Sequence, residues 1–415
     1  MRIVSPEYIA IADQDEDLLT KIDFEIHPHC KLYLGKDYLG NLNAYDIIIK
    51  SPGISTLLLN GKVLNDKISS QSELFLNVYA DRTIGITGTK GKITTSSLIS
   101  HILSSFYKDV LLLGNIGIPP FDMIDRIGPE TRIVFELSSH QLEHISISPF
   151  VAILLNLYEE HLDHYESYSN YQLAKFNITK FQKEDNWFIM NGDNLLLMDL
   201  FQQSNLKRKL LTFSHNKIAG DGAFIDENGE IVSCFQGKTS RFDFIKRQYL
   251  PGDHNLMNIV AAICASKIMG VPDDLIDKSI KGFKGLKNRL EYVGEFKGIS
   301  FYNDSISTIP QSTIQAVLSL KKVDTLILGG KDRGIDYQPL VDFLPGSGVR
   351  NLIFIGEAGK RILEGLEKSS PNRTQKWFAI KSFNEISDIV RSHTQRGFIC
   401  LLSPAAASYD LFRNF

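Results

Sequence analysis

The sequence predicts an α/β protein of several domains built around parallel sheets, and three observations carry that reading. Short apolar, strand-like runs alternate with helix-like stretches along most of the chain, an order that places helices on the faces of a parallel sheet. One such run, Thr83–Thr87, passes through a glycine turn directly into a helical pattern, the geometry that offers backbone N–H groups to a phosphate. The length of 415 residues, at roughly 100–200 residues per domain, makes three domains the first expectation.

Composition excludes several function classes. A hydrophobic fraction of 43% and a charged fraction of 22% are those of an ordinary globular protein, neither disordered nor fibrous. Lys plus Arg is 45 and Asp plus Glu is 48, a net charge of −3, which gives no electrostatic reason to expect nucleic acid or an anionic membrane surface as partner. Cys30, Cys234, Cys264 and Cys400 show no CxxC spacing, so neither a disulfide framework nor a zinc ligand set is expected. No apolar run reaches the roughly 18 residues of a membrane span. Asp13, Asp15, Glu16 and Asp17 leave no room for a signal-peptide core. The expectation is a cytoplasmic protein, and a monomer.

In chain order, strands are expected at Tyr8–Ala12, Lys31–Leu34 and Asp46–Ile49, the last running into Ser51-Pro52-Gly53. After Thr83–Thr87 come a helix over Thr94–Phe106 and strands at Val110–Leu113, Ile133–Leu137 and Val151–Leu155, in a largely parallel sheet. A small-residue helix is expected at Ile259–Met269. Beyond Gly285, strands Ile299–Asn303, Thr325–Leu328, Leu352–Ile355 and Phe398–Leu402, with a helix at Gln311–Leu320, form a second βαβ array. The expected domains are 1–70, 71–285 and 286–415.

The strongest local signal is Gly88-Thr89-Lys90-Gly91-Lys92-Ile93-Thr94-Thr95. A glycine loop at a helix start, with a lysine inside it, cradles polyphosphate. It departs from the usual P-loop, with Ile86 where the first glycine belongs and Ile93 where Ser or Thr follows the lysine. Alone it reads equally as a nucleotide site or an ordinary turn. Further on, Glu136 ends an apolar strand in Phe135–Glu143, placed to hold Mg²⁺ unless it faces solvent. In Asn156–Tyr165 no HExxH spacing or cysteine partner supports zinc, and a hard cation held by carboxylates with His161 fits better. Lys175 reads by composition as a surface lysine. Asn255 and Asn258, at i and i+3, share a helix face, where two amides can read an adenine edge or simply cap and pack.

Together with Asn288-Arg289-Leu290-Glu291, Asn303-Asp304-Ser305, Gly329–Asp336 and Leu402–Phe415, these motifs resemble the Mur ligase family, nearest its D-glutamate-adding branch. The resemblance runs from about Ser51 to the last residue. It implies a three-domain architecture, with a parallel-sheet, P-loop-like central domain between Rossmann-like flanking domains. It also implies an ATP- and Mg²⁺-dependent amide-bond ligase of peptidoglycan synthesis. Its partners would be UDP-N-acetylmuramoyl-L-alanine and glutamate, joined through an acyl phosphate.

By resemblance, Gly88, Thr89, Lys90, Gly91, Lys92, Ile93 and Thr94 cradle ATP, with Lys92 on the β- and γ-phosphates. Lys92, His161 and Lys175 are the catalytic residues. Thr94, Glu136, His161 and a carbamylated Lys175 hold Mg²⁺. Asn255 and Asn258 face adenine, Arg289 the phosphates and Asp304 the ribose. Asn115 and Ser138 touch the muramoyl substrate, and Asp13, Ser51 and Gly53 form the uridine site. Thr308, Arg333, Ser408 and Phe415 hold the carboxylates of the amino acid. Three departures stand out: Ile93, a reduced N-terminal unit, and Ile306 where the D-glutamate branch has a lysine. At this point L-glutamate remains open beside D-glutamate, and so does a non-catalytic nucleotide-binding paralogue.

Overall fold

The computed structural model describes residues 8–21, 29–55, 59, 65–115, 118–160, 164–165, 167–242, 249–369, 374–382 and 384–407. Of the expected site residues, His161, Ser408 and Phe415 lie outside them. Among the described residues no helix is long and apolar enough to cross a membrane. The chain forms two compact units, one of Met1–Lys92, Leu111–Phe188 and Asn194–Lys209, the other of Ile93–Val110, Ile189–Asp193 and Leu210–Phe415.

The first unit opens with β1 (Ile9–Asp13), α1 (Leu18–Lys21) and β2 (Cys30–Leu34), the two strands pairing in parallel. β3 (Ile48–Ile49) and β4 (Ile68–Ser69) form a second parallel pair over a small core of Leu39, Leu42, Leu59 and Ile68. Helix α2 (Gln71–Tyr79) begins at Ser70, whose hydroxyl accepts from the Glu73 N–H at 3.1 Å and satisfies an otherwise orphaned helix donor. β5 (Thr83–Thr87) follows, then α3 (Lys92–Ser104), which continues into the second unit.

Next come β6 (Val110–Gly114), β7 (Arg132–Glu136), α4 (Ser139–Leu142), β8 (Val151–Leu154) and α5 (Tyr168–Lys180). β5 pairs in parallel with β7 on one side and β8 on the other. Every residue of β5 and β8 is buried, as expected of strands covered on both faces. Because the three strands run in parallel, the segments after Thr87, Glu136 and Leu154 leave from one edge, where open α/β sheets bind ligands. Gly114 allows β6 to close against β7: it has φ +103°, and a Cβ there would sit 2.2 Å from the Glu136 carbonyl oxygen. Instead, the Asn115 N–H donates to that carbonyl at 3.1 Å.

β9 (Trp187–Asn191), α6 (Leu195–Gln203) and β10 (Lys209–Ser214) follow. In the second unit β10 pairs in parallel with β11 (Gly222–Ile225), which continues antiparallel through β12 (Ile231–Phe235) and β13 (Lys238–Phe242). No strand was expected from the sequence in this antiparallel extension, residues 209–242. Its last hairpin turns on Gln236 and Gly237, with φ of +49° and +76°, the left-handed pair that matches strand twist.

Helices α7 (Asp253–Ile268) and α8 (Asp273–Gly282) precede a βαβ array: β14 (Glu291–Phe296), β15 (Ile299–Asn303), α9 (Pro310–Leu320), β16 (Val323–Gly329), α10 (Gln338–Phe343), β17 (Asn351–Ile355), α11 (Gly356–Ser369), β18 (Lys376–Ala379), α12 (Asn384–His393) and β19 (Ile399–Leu402). The strand order is β14-β15-β19-β16-β17-β18, and only β14 is antiparallel to its neighbour. Alternate residues serve opposite faces. Leu326, Leu328, Leu352 and Phe354 pack in one cluster with Val341 and Ile362. Ile327, Ile353 and Ile355 pack in the other with Val390. Covering both faces turns these strands into continuous apolar runs.

Candidate active site

The glycine loop lies where β5 ends and α3 begins, and the segment after β8 clips it in place. The Thr89 N–H donates to the Asn156 carbonyl at 3.0 Å, and the Lys90 N–H to Asn156 Oδ1 at 2.8 Å. Asn156 Nδ2 donates back to the Lys90 carbonyl at 3.1 Å. The Thr89 hydroxyl accepts from the Tyr158 N–H at 3.0 Å and lies 2.9 Å from the Tyr171 hydroxyl. Lys90 pairs with Glu160. Gly91, at φ +89°, makes the turn that L side chains disfavour.

Two lysines converge on one carbonyl of this loop. Lys92 Nζ donates to the Gly88 and Thr89 carbonyls at 3.0 and 3.1 Å. Lys175, from α5, donates to the same Gly88 carbonyl at 2.9 Å. Lys175 is 2% exposed, so the surface lysine that composition indicated is instead among the most buried side chains of the unit. Burial, and then the positive charge of Lys92, hold its amine well below the ordinary lysine range, with Glu160 and Glu136 pulling the other way. The Tyr171 ring centre lies 5.0 Å from Lys175 Nζ. Its phenol, also buried, is pushed up to about 12.

Glu136 is fully buried at the end of β7, which removes the solvent-facing reading of that acid. Its Oε1 accepts from Asn115 Nδ2 at 3.2 Å, so two expected ligand residues meet. Thr87 Oγ1, at the end of neighbouring β5, is buried with no hydrogen-bond partner among the described residues. Among the described residues no group of three or more His, Cys, Asp or Glu side chains is arranged so that it could hold a metal ion. Mg²⁺ commonly takes only one or two protein oxygens and completes its shell with phosphate and water. The buried carboxylate of Glu136 fits that demand.

Ser138 caps the four-residue helix α4: its hydroxyl accepts from the Gln141 N–H at 3.3 Å, and its own N–H donates to Gln141 Oε1 at 2.9 Å. Ser51 and Gly53 lie exposed in the turn after β3. Asp13 ends β1, where its Oδ1 accepts from the Asp15 N–H at 2.8 Å.

In the second unit Asn255 and Asn258 share a face of α7, as their spacing predicts. Asn258 Nδ2 donates to Asn255 Oδ1 at 3.1 Å, and Asn255 Nδ2 to the Pro251 carbonyl at 2.7 Å. Asp304 is buried and accepts from the Leu290 N–H at 3.1 Å and from the Ser307 and Ser403 hydroxyls at 2.6 and 2.8 Å. Desolvation pushes its carboxyl up, against those hydroxyls. The Leu290 bond holds down the turn that exposes Arg289. Arg333 is exposed and donates from Nη2 to the Thr308 carbonyl at 3.3 Å, bringing two expected amino-acid ligands together.

Sequence reasoning did not single out Asn156, Tyr171 or Arg361 as loop anchors. Tyr171 is marked only by lying four residues before Lys175, on the same helix face. Arg361 carries no local signal, since its partner Asp332 is 29 positions away.

The chain is similar to known proteins in sequence and in fold. The Mur ligase middle domain family matches residues 86–266. A UDP-N-acetylmuramoylalanine–D-glutamate ligase of Thermoanaerobacter sp. (strain X514) is 32% identical over 378 residues, 90% of this chain and 82% of the relative. One from Geotalea daltonii is 35% identical over 374 residues, 89% of this chain and 80% of the relative. Among solved structures, a MurF ligase from Thermotoga maritima in complex with ADP superposes with a TM-score of 0.57 at 19% identity, over 87% of this chain and 91% of that one, a likeness of fold. The chain belongs to the Mur ligase family.

Proposed function

We infer that this protein is an ATP-dependent ligase that adds D-glutamate to UDP-N-acetylmuramoyl-L-alanine in peptidoglycan synthesis. The observation that carries the chemistry is the pair of lysines on the Gly88 carbonyl of a glycine loop, in a chain whose relatives at 32% and 35% identity are named D-glutamate ligases. A carboxylate is a poor electrophile until one of its oxygens becomes a phosphate leaving group. Phosphoryl transfer in turn needs positioning and charge neutralisation. Lys92 swings its ammonium from the Gly88 and Thr89 carbonyls to the β- and γ-phosphates, while the loop N–H groups cradle them. The amine of glutamate then attacks the acyl-phosphate carbon, and phosphate leaves.

Lys175 is suited to carbamylation by its surroundings. A deprotonated amine attacks CO₂, loses a proton and becomes a carbamate, and burial beside Lys92 already favours the deprotonated form. The change places an anion at the loop, beside the Lys92 cation. Mg²⁺, which Glu136, Thr94, His161 and the carbamate would hold, supplies neutralisation of the phosphate charge. Asn255, Asn258 and Asp304 are assigned to the nucleoside, Arg289 to the phosphates, and Asn115, Ser138, Asp13, Ser51 and Gly53 to the nucleotide-linked substrate. Thr308, Arg333, Ser408 and Phe415 are assigned to glutamate. The same reading takes the protein as a cytoplasmic monomer with domains 1–70, 71–285 and 286–415.

The test is phosphate release and product formation with D- and L-glutamate offered separately. Release that requires the UDP-linked substrate and D-glutamate supports the reading. Release with L-glutamate alone reassigns the amino acid, and no release with either removes the ligase.

A further inference from the structure

The turn Ser51-Pro52-Gly53 is closed by a buried lysine. Lys50 Nζ donates to the Ile54 carbonyl at 2.7 Å, bridging the residues on either side of the turn, and lies 3.1 Å from Glu143 Oε2. The two side chains are only 2% and 6% exposed. The Lys50 N–H is tied to the Ser69 carbonyl at 2.9 Å, and the Ile54 N–H to the Ser51 carbonyl at 3.1 Å.

Glu143 stands at the C-terminal end of α4, the helix that Ser138 caps. Its second oxygen, Oε1, lies 2.9 Å from His164 Nε2, and the His164 carbonyl accepts from the Ser55 hydroxyl at 3.3 Å. The His140 ring stands edge-on to His164 at 4.1 Å. One carboxylate therefore reaches both ends of the segment from Lys50 to Ser55.

A buried ion pair contributes little net stability, because desolvating both charges offsets most of their attraction, and an apolar pair of similar volume would pack as well. Its effect is directional. An ammonium shared between a carboxylate and a carbonyl has few satisfactory positions, so it fixes the turn relative to α4.

We propose that Glu143 is a positioning residue: through Lys50 and His164 it holds the Ser51–Gly53 turn in a fixed frame with Ser138, so that both contact the UDP-linked substrate together. The substrate half of this statement rests on the function proposed above.

The test uses the full chain with Glu143→Gln, Lys50→Met and the two combined. The double variant leaves no uncompensated buried charge and so keeps the fold measurable if either single variant unfolds. Hydrogen exchange of the Lys50 and Ile54 amides, read without ligands, should quicken about tenfold or more in the double variant while amides of β5 and β7 stay within about twofold. The KM for UDP-N-acetylmuramoyl-L-alanine should rise about tenfold, with kcat and the KM for ATP within about twofold.

Unchanged exchange at Lys50 and Ile54, or equal quickening in β5 and β7, overturns the positioning role. Quickened local exchange with an unmoved KM keeps the positioning and overturns the assignment of this turn to the substrate. No turnover by the unsubstituted protein removes the ligase reading and leaves the exchange result standing.

Discussion

Two loops carry the assigned chemistry, one in each unit, and they are anchored in opposite ways. The Gly88–Lys92 loop is held by buried groups: Thr89, the Tyr171 hydroxyl, and Lys175 at 2% exposure. The segment Asp332–Tyr337 is held at the surface by Arg361, whose guanidinium meets both oxygens of Asp332 at 2.6 and 2.7 Å with side chains 43% and 21% exposed. Buried anchors have no solvent to replace them, so the first loop keeps its shape before nucleotide arrives. The surface anchor competes with water and leaves the second loop freer to adjust to an amino acid. Effects of substitution should therefore fall steeply from the first loop to the second.

The largest effect is expected at Lys92. Lys92→Ala removes the cation proposed for the β- and γ-phosphates, and kcat should fall by about a hundredfold or more while the fold persists. Near-normal kcat by phosphate release would sink the nucleotide assignment.

Lys175 sharpens the contrast, because its effect has two parts. Lys175→Ala should be nearly inactive and partly rescued by short-chain carboxylates that replace the carbamate, whereas full activity without rescue would make it a structural lysine. The second part is stability in bicarbonate-free buffer. The folded-state pKa lies below the unfolded value near 10.5, so between the two the unfolded chain binds more protons, and stability rises with pH across that window. Lys175→Met should raise the Tm at pH 7 by an amount that shrinks as pH approaches 10.5. A gain that does not depend on pH would mean the amine is not held deprotonated.

The same contrast explains what the sequence could reveal. Strands β5, β15, β16, β17 and β19 were legible as β-branched or apolar runs because sheets covered on both faces demand such residues. The loop was legible because a phosphate cradle needs glycine and lysine close together in the chain. The burial of Lys175 was not, since nothing in Ala174-Lys175-Phe176 shows that the Gly88 carbonyl lies opposite. Lys50 and Glu143 were equally hidden, because an ion pair between distant segments leaves no periodic trace. The β12–β13 hairpin was hidden because Gln236-Gly237 turns without the usual Asn or Asp, whereas Asn228-Gly229 in the β11–β12 turn does carry that signal.

In the second unit the expected effects become smaller. Arg333, exposed and resting on the Thr308 carbonyl, is free to turn its fork toward a carboxylate. Arg333→Ala should raise the KM for glutamate about thirtyfold, the consequence of losing one charge-assisted pair of ~2 kcal/mol, with the KM for ATP unmoved. An unchanged glutamate KM would remove Arg333 from the pocket.

The smallest effect is expected one step back from the substrate, at Arg361. It binds Asp332, donates to the Ile335 carbonyl at 3.3 Å and lies over the Tyr337 ring at 5.2 Å, and so holds the segment that carries Arg333. The guanidinium keeps the Asp332 carboxyl below its usual range, but both groups are open to water, which screens the pair and takes over its hydrogen bonds when one partner is lost. Arg361→Ala should therefore raise the KM for glutamate by no more than about fivefold, and 0.5 M salt should reduce the difference from the unsubstituted protein. Arg361→Lys should recover only part of it, because an ammonium cannot span both Asp332 oxygens and the Ile335 carbonyl at once. A loss as large as that of Arg333→Ala, insensitive to salt, would show that the second loop is anchored as firmly as the first and would break the contrast between them.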